Sequence, residues 1–546
     1  MVKWRWHLGA LALYTALAVV FIDHSVNPNR YLAGVSKDPF IYIWFLAWMP
    51  YALAHHLNPL FTTLIWQPAG FNLAWTTSIP FLALLLGLPF TLLFGPVFTY
   101  NLLVIIAPIA SAWFMYRLCL VITDDARAAL LGGILFGFSA YEMAQDTAHL
   151  NLSFTFFIPA LLWVLLLRLQ NKIGRWPTVF LASLCLIGEF LTSSEIFTLI
   201  FVFGGIAWLL ALYYLPERRA ELRRLVLDGL LAAPIVIVML SPLLWQMFLS
   251  RGTIQLPAFW PYYFVADPLN LIAPGNSGFI TLFRAKATGG GPEEDAYIGL
   301  PLLLILALFA WHQRHTPAGR FLAVLFLCLL VASFGPLLRI AGHRTNIFLP
   351  WFVFLHLPLL GMALPARFAL FVSLVTAIIA ALWLSQAKTQ QSRWWRSALS
   401  GLACLALLPA LHPWTKIPDS KFFAPGEVQA QLGPNPRLLI LPFAVRGPSA
   451  YWQVENNFGF TQVGGYLGFP SPAMLRFSAV YELEGAMEVP NFPASFTSLC
   501  EQTGTQYVVA GPGTPPAMLA TLAGLHWPSR QADDVKIFTV PGGDHG

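Results

Sequence analysis

Asp38 stands directly before Pro39 in the run Arg30 to Pro39, just past the first apolar segment of a chain in which only 10% of residues are charged. The proline biases the backbone at the acid toward an extended conformation, just ahead of an aromatic stretch. A carboxylate partly screened from water there can serve as a general base, with its pKa raised by desolvation, or it can bind a divalent cation. The bland account of an isolated Asp-Pro is a helix cap or a solvated loop acid.

A second polar constellation is Tyr141 to Asn151, which packs Glu142, Gln145, Asp146, Thr147, His149 and Asn151 between two apolar stretches. Asp146 and His149 are spaced i, i+3, which on a helical turn puts them on one face, where a carboxylate and an imidazole can share a cation such as Mg or Mn. Asp38, Asp146 and His149 are thus candidate metal ligands, and helix capping by Asp146 or Asn151 is the structural alternative. Glu189 and Glu195 flank Thr192-Ser193-Ser194 in an apolar stretch, where ionisable groups are costly enough to suggest a polar cavity, or else a short outer turn. Arg251, Arg284, Lys286, Arg339, Arg344 and Arg367 fall in the loops of the same side. An arginine there can fork onto a phosphate, or simply snorkel to lipid headgroups. The run Thr288 to Asp295 reads as a glycine-rich loop able to close over a substrate. No Walker, G-x-G-x-x-G, H-E-x-x-H or paired-cysteine pattern occurs, so nothing calls for a nucleotide cofactor or zinc proteolysis.

The elements that must position these groups belong to a membrane protein. Charged residues make up about a quarter of an average soluble chain, and the mean hydropathy here is +0.66. Leu8 to Ile22, Tyr100 to Ile122, Ser153 to Leu169, Ile196 to Tyr213, Leu227 to Leu249, Phe321 to Phe334 and Phe368 to Leu384 are apolar over about the length of a spanning helix, with a last span near Ser397 to Ala410. They lack the period-two alternation of a barrel, which leaves helices. The basic start, Met1 to His7, is read as part of a retained first helix rather than a cleaved signal. The formal charge of +6 does not signal nucleic acid, because the basic residues cluster between spans: Arg168, Lys172 and Arg175; Arg218, Arg219, Arg223 and Arg224; Arg314 and Arg320; Lys388, Arg393 and Arg396. By the positive-inside rule these loops and the N-terminus face the cytoplasm, and Asp38, Asp146 and the other candidate residues face outward. The five cysteines give no disulfide framework.

Segments 40–57 and 78–94 either span or lie on the outer surface; the aromatic residues Tyr42, Trp44, Trp48 and Tyr51 favour an interfacial helix with rings at headgroup depth. The expected organisation is a transmembrane module over 1–411, with about 11 to 13 spanning helices and a first outer loop at 23–77, followed by a small extracytoplasmic α/β domain at 412–546. In that domain Arg437 to Leu441, Gln506 to Ala510 and Lys536 to Val540 read as strands, and Pro493 to Glu501 and Pro516 to Leu525 as helices. Tyr451, Trp452, Tyr466 and Phe469 supply aromatic faces for a sugar, or for an ordinary core.

Asp38-Pro39 with Trp44 and Trp48, Asn58-Pro59, Gln67-Pro68-Ala69-Gly70, Gly95-Pro96 with Tyr100-Asn101, His149-Leu150-Asn151, Pro365-Ala366-Arg367-Phe368 and Gly464-Gly465-Tyr466-Leu467 together resemble bacterial members of the GT-C superfamily of integral membrane glycosyltransferases. The resemblance implies a polyprenyl-phosphate-sugar donor, a glycan, lipid or protein acceptor outside the bacterial inner membrane, and a catalytic acid in the first outer loop, the position of Asp38. Under it Asp38 is the base of an inverting transfer, with Asp146 as the second catalytic carboxylate. His149, Asn151 and Glu195 contact substrate or, with Asp146, orient the acceptor or a divalent ion; Arg339, Arg344 and Arg367 receive the departing phosphate. Many such enzymes carry paired acids, whereas Asp38 stands between Lys37 and Pro39. The rival readings are a lipid or glycolipid flippase, which would place polar groups deep within spans, and a non-catalytic envelope-assembly protein.

Overall fold

The computed structural model describes residues 4–23, 27–35, 37–76, 81–248, 260–275, 293–357, 361, 363–468, 470, 472–485 and 487–542. Arg251, Arg284, Lys286, Phe469 and 288–292 lie outside them.

Among the described residues six helical stretches are long and apolar enough to cross a membrane: Trp4–Ile22, Pro96–Thr123, Leu150–Leu169, Ser194–Tyr214, Pro216–Phe248 and Pro365–Ser385. Ala126–Gly137, Leu300–Gln313 and Pro317–Ser333 are apolar but shorter, and Arg175–Phe190 and Gln390–Ala406 complete the bundle. The protein is a polytopic, multi-pass α-helical membrane protein. Length and composition alone thus qualify fewer spans than the 11 to 13 expected. At 1.5 Å per residue a 12-residue helix covers only about 18 Å.

Small residues bring the helices together. An added Cβ at Gly133 would meet the Tyr14 hydroxyl at 2.1 Å, and one at Gly137 would meet Ala112 Cβ at 2.6 Å. This lets Ala126–Gly137 lie directly against Pro96–Thr123 and Trp4–Ile22. The turn into that helix is fixed by Asp125, which caps it by accepting from Arg127 N–H at 2.8 Å. At the other connection of the bundle, buried Asp228 takes Arg168 Nε at 2.8 Å and Arg175 Nε at 3.0 Å. Two of the basic residues that mark orientation are therefore also spent on an internal ion pair.

The stretch 40–57 departs from expectation. It forms the helix Pro39–Ala54, apolar on every side, with Trp44 and Trp48 fully buried. Instead of lying in a headgroup layer it is clamped between Pro96–Thr123 and the C-terminal domain. Trp44 and Trp48 pack on Phe458, and Phe40 packs on Tyr451. An interfacial helix needs a polar face, and this one has none. In 78–94 the described part is a single π-type turn, Phe81–Leu86, and the seven-residue helix Leu88–Phe94. That helix covers about 10 Å, too little to span.

The C-terminal domain holds a five-stranded mixed sheet in the order Ser529–Ala532, Val535–Thr539, Tyr507–Ala510, Arg437–Leu441, Thr461–Gln462, with the first two neighbour pairs antiparallel and the last two parallel. The three expected strands are present, as are the helices Phe492–Thr503 and Pro516–Gly524. The domain is stitched to the segment 27–76 by backbone. Tyr31–Ala33 pairs antiparallel with Trp414–Lys416. Trp66 N–H donates to Gly464 O at 2.9 Å, Gln67 N–H to Gln462 O at 3.1 Å and Gln462 N–H to Leu64 O at 2.9 Å, which covers the outer edge of Thr461–Gln462.

Candidate active site

Asp38 is positioned by the start of the Pro96–Thr123 helix. Asn101 takes Ala33 N–H on Oδ1 at 2.9 Å and donates Nδ2–H to Pro28 O and Tyr31 O, while the Tyr100 hydroxyl donates to Ala33 O at 3.1 Å. The next residue, Gly34, sits at φ +129°, where an added Cβ would fall 2.4 Å from Thr147 O. Only glycine lets the Asp38 segment lie this close to the His149 segment. Asp38 occupies the N-cap position of Pro39–Ala54, but its side chain accepts no capping hydrogen bond there.

The carboxylate instead turns to side chains from distant parts of the chain. Tyr466 donates its hydroxyl to Asp38 Oδ1 at 2.7 Å. His149 Nε2 lies 3.3 Å from Asp38 Oδ2 and 3.0 Å from Glu293 Oε1, and its Nδ1 lies 3.1 Å from Gln145 Oε1. Burial pushes the imidazole pKa down, but Glu293 and Asp38 outweigh it and leave the group above its usual 6.5. Glu293 pairs through its other oxygen with Arg367 Nη2, and Arg367 Nε lies 3.6 Å from Glu195 Oε2. Glu195 is in the first turn of Ser194–Tyr214, where an acid suits the helix N-terminus, and its Oε1 accepts Leu364 N–H at 3.0 Å. The result is a chain of alternating charge: Asp38, His149, Glu293, Arg367, Glu195. Arg367 is 4% exposed, and its Nη1 is buried without a hydrogen-bond partner, as is the Tyr141 hydroxyl. Arg367 is among the charges that act on Tyr141.

The structure therefore links Asp38, His149, Glu195 and Arg367 in one chain of contacts, and the other candidates make their described contacts with other partners. Asp146 ends the helix Ala140–Asp146, and His149 caps the next one, Leu150–Ser153, so the two do not share one helical face as the i, i+3 spacing suggests. The Asp146 carboxyl is buried, which raises its pKa well above the usual carboxylate range, and the nearby Ser153 hydroxyl acts in the opposite direction. Asn151 is buried and accepts the Tyr42 hydroxyl. Arg339 is occupied by Glu294 at 2.7 Å and by Tyr263 O at 3.0 Å. Arg344 is exposed across the hairpin from Arg339 and makes no ion pair among the described residues. Glu189 is buried and makes no ion pair among the described residues. Among the described residues no group of three or more His, Cys, Asp or Glu is gathered to hold a metal.

Glu293 is the link that the sequence did not single out. Its only sequence signal is an adjacent acid pair at the end of a glycine-rich run, Glu293-Glu294, and the structure sends one acid to Arg367 and the other to Arg339.

A family model described as a domain of unknown function, DUF6311, matches residues 8–362 and so takes in Asp38, His149 and Glu293. The chain belongs to the DUF6311 family. No curated protein matches it. The fold of this DUF6311 protein is similar to arabinofuranosyltransferase AftD from Mycobacteria, with a TM-score of 0.63, 14% identity, and coverage of 100% of this chain and 40% of that one. It is also similar to the archaeal oligosaccharyltransferase AglB from Archaeoglobus fulgidus, solved with an inhibitory peptide and a dolichol-phosphate, with a TM-score of 0.51, 13% identity, and coverage of 93% and 69% of the two chains. The DUF6311 chain spans well under half the length of AftD. At these identities the likeness is one of fold alone.

Proposed function

We propose that the protein is a membrane glycosyltransferase that moves a sugar from a polyprenyl-phosphate donor to an acceptor hydroxyl outside the bacterial inner membrane, with inversion at the anomeric carbon. The observation that carries this reading is a chain of contacts that runs from the Asp38 carboxylate, held by Tyr466 and His149, through Glu293 to the buried Arg367, whose Nη1 has no hydrogen-bond partner. A transferase of this kind needs a base for the acceptor and a receptor for the leaving phosphate, close together at the end of the membrane helices. The GT-C fold shared with AftD and with an AglB complex that contains dolichol-phosphate supports the same class of reaction.

In this reading Asp38 takes the acceptor proton as the hydroxyl attacks the anomeric carbon. The bond from that carbon to the phosphate oxygen breaks with its electron pair on the phosphate. Arg367, with the Tyr141 hydroxyl, meets the charge that develops there. Glu293 holds Arg367 in place and separates it from His149. The expected divalent cation does not fit these residues as they stand: Asp38 and Glu293 are engaged by His149 and Arg367, and no group of three metal-ligating side chains is gathered among the described residues.

The test is to incubate purified protein in lipid with a panel of polyprenyl-phosphate sugars and to follow release of polyprenyl phosphate. Release that falls about a hundredfold or more in Asp38→Asn supports the reading. Full activity in that variant removes Asp38 from the role of base. No release from any donor, with lipid binding intact, moves the assignment to a flippase or scaffold.

A further inference from the structure

Tyr466 belongs to the C-terminal domain, yet its hydroxyl ends 2.7 Å from Asp38 Oδ1, 428 residues away in sequence. Several features hold it there. It follows Gly464-Gly465, where Gly465 sits at φ +114° and an added Cβ would come 3.0 Å from Ile65 Cγ2, and where a Cβ on Gly464 would strike the Phe443 ring at 2.6 Å. Leu467, next in line, is fully buried. Trp66 N–H donates to Gly464 O, which ties the same loop to the first outer loop by main chain. The tyrosine is thus fixed from both sides of the join between domain and membrane bundle.

The contact decides how Asp38 presents itself. A carboxylate on one short side chain has one χ1 and one broad χ2, and in a polar site it can turn either oxygen to any donor. Here Tyr466 takes Oδ1 and His149 takes Oδ2, so the plane of the carboxylate is set by two donors rather than by helix capping. Burial, followed by the nearby Asp38 charge, pushes the phenol pKa far above 10, so Tyr466 stays protonated and remains a donor at any physiological pH.

We infer that Tyr466 is a positioning residue for Asp38, and that the C-terminal domain is therefore a working part of the catalytic centre rather than only an acceptor grip or a scaffold. The inference rests on the reading of Asp38 as the base. Tyr466 touches neither donor nor acceptor in this scheme; it acts through Asp38.

The experiment compares wild type, Tyr466→Phe, Gly465→Ala and Asp38→Asn in lipid-reconstituted form, measuring kcat and KM for the donor and thermal unfolding of each. Tyr466→Phe keeps the ring and removes one hydrogen bond to a charged group, for which a loss of about ten- to a hundredfold in kcat is expected, with KM for the donor unchanged. Gly465→Ala keeps the tyrosine but strains the loop that carries it, and the same split is expected. Loss confined to KM, or wild-type kcat in Tyr466→Phe while Asp38→Asn is inactive, overturns the inference and leaves Asp38 as the base. Full activity in Asp38→Asn instead overturns the reading beneath it. A Tyr466→Phe protein that loses kcat only in proportion to lost folded protein assigns the contact to stability alone and also overturns the inference.

Discussion

Trp44 donates its indole N–H to Gln453 Oε1 at 2.9 Å, joining the buried helix after Asp38 to a helix of the C-terminal domain. Gln453 is fully buried and spends its amide hydrogens on Leu64 O and Phe460 O, each at 3.0 Å, so one side chain satisfies three groups on three segments. Gln453→Ala should leave these groups unpaired, at about 1–3 kcal/mol for each that water cannot reach. Lower thermal stability and faster proteolysis of the C-terminal domain are expected. A variant as resistant as wild type would show that apolar packing on Phe458 holds the join without the glutamine.

Asp228 presents a different risk. Its carboxylate is 2% exposed and is shared between Arg168, which is mostly buried, and Arg175, whose side chain is 47% exposed and largely solvated. Removing one partner of a buried pair strands the remaining charge, which typically costs about 3–5 kcal/mol. Asp228→Ala should therefore reduce the yield and unfolding temperature of the protein in detergent. Asp228→Asn, which can still accept hydrogen bonds, should lose less.

The three arginines first considered as phosphate ligands should separate cleanly. Arg367→Lys keeps the charge but loses the planar fork, and kcat/KM for the donor should fall at least about tenfold, with kcat itself lowered. Arg339→Gln breaks the pair with Glu294 and should lower stability before it affects chemistry. Arg344→Gln, at an exposed position, should leave turnover within about twofold. Steady-state kinetics with unfolding curves on the same preparations would check all three, and a strong kinetic effect at Arg344 would count against the assignment to Arg367.

Glu455 gives the C-terminal domain a pH dependence. Its carboxyl is raised to about 7 by burial and then by Asp419 and Asp534, and Oε2 has no hydrogen-bond partner. An acid whose pKa is higher in the folded state binds its proton more tightly there than in the unfolded chain. Its contribution therefore favours folding at low pH and is lost as pH rises from about 4.5, the unfolded value, through about 7. Glu455→Gln should raise the unfolding temperature at pH 8, with the advantage closing by pH 5. An equal gain at both pH values would mean that the charge is not the cause.

Much of the bundle was legible because apolar length is a strong signal: the helices Trp4–Ile22, Pro96–Thr123, Ser194–Tyr214 and Ala369–Ser385 fall within a few residues of the apolar runs. The strands Arg437–Leu441 and Tyr507–Ala510 were legible for a similar reason, as short β-branched or aliphatic runs between turn residues. Composition could not say that Pro39–Ala54 is covered by another domain, because tryptophans at a membrane interface and tryptophans at a domain join look alike in sequence. Asp38, His149, Glu195 and Arg367 were each visible as an ionisable group beside an apolar run. Their connection was not, because Glu293 reaches Arg367 and His149 across 74 and 144 residues, and Tyr466 reaches Asp38 across 428. The i, i+3 spacing of Asp146 and His149 misled because a turn at Thr147-Ala148 breaks the helix that would have made it meaningful.

The pairing of Tyr31–Ala33 with Trp414–Lys416, and of the 64–67 segment with 462–464, has a consequence for how the molecule is made. A ribosome releases the 27–76 segment early and its partners at 414–416 and 462–464 only after the described membrane helices have emerged. Until then Asp38 has neither its tyrosine nor the backbone edge that fixes its loop. The surroundings of Asp38 are completed by residues that follow the membrane helices in sequence, so a chain cut between Ala406 and Trp414 lacks both the strand that pairs with Tyr31–Ala33 and the tyrosine that meets Asp38.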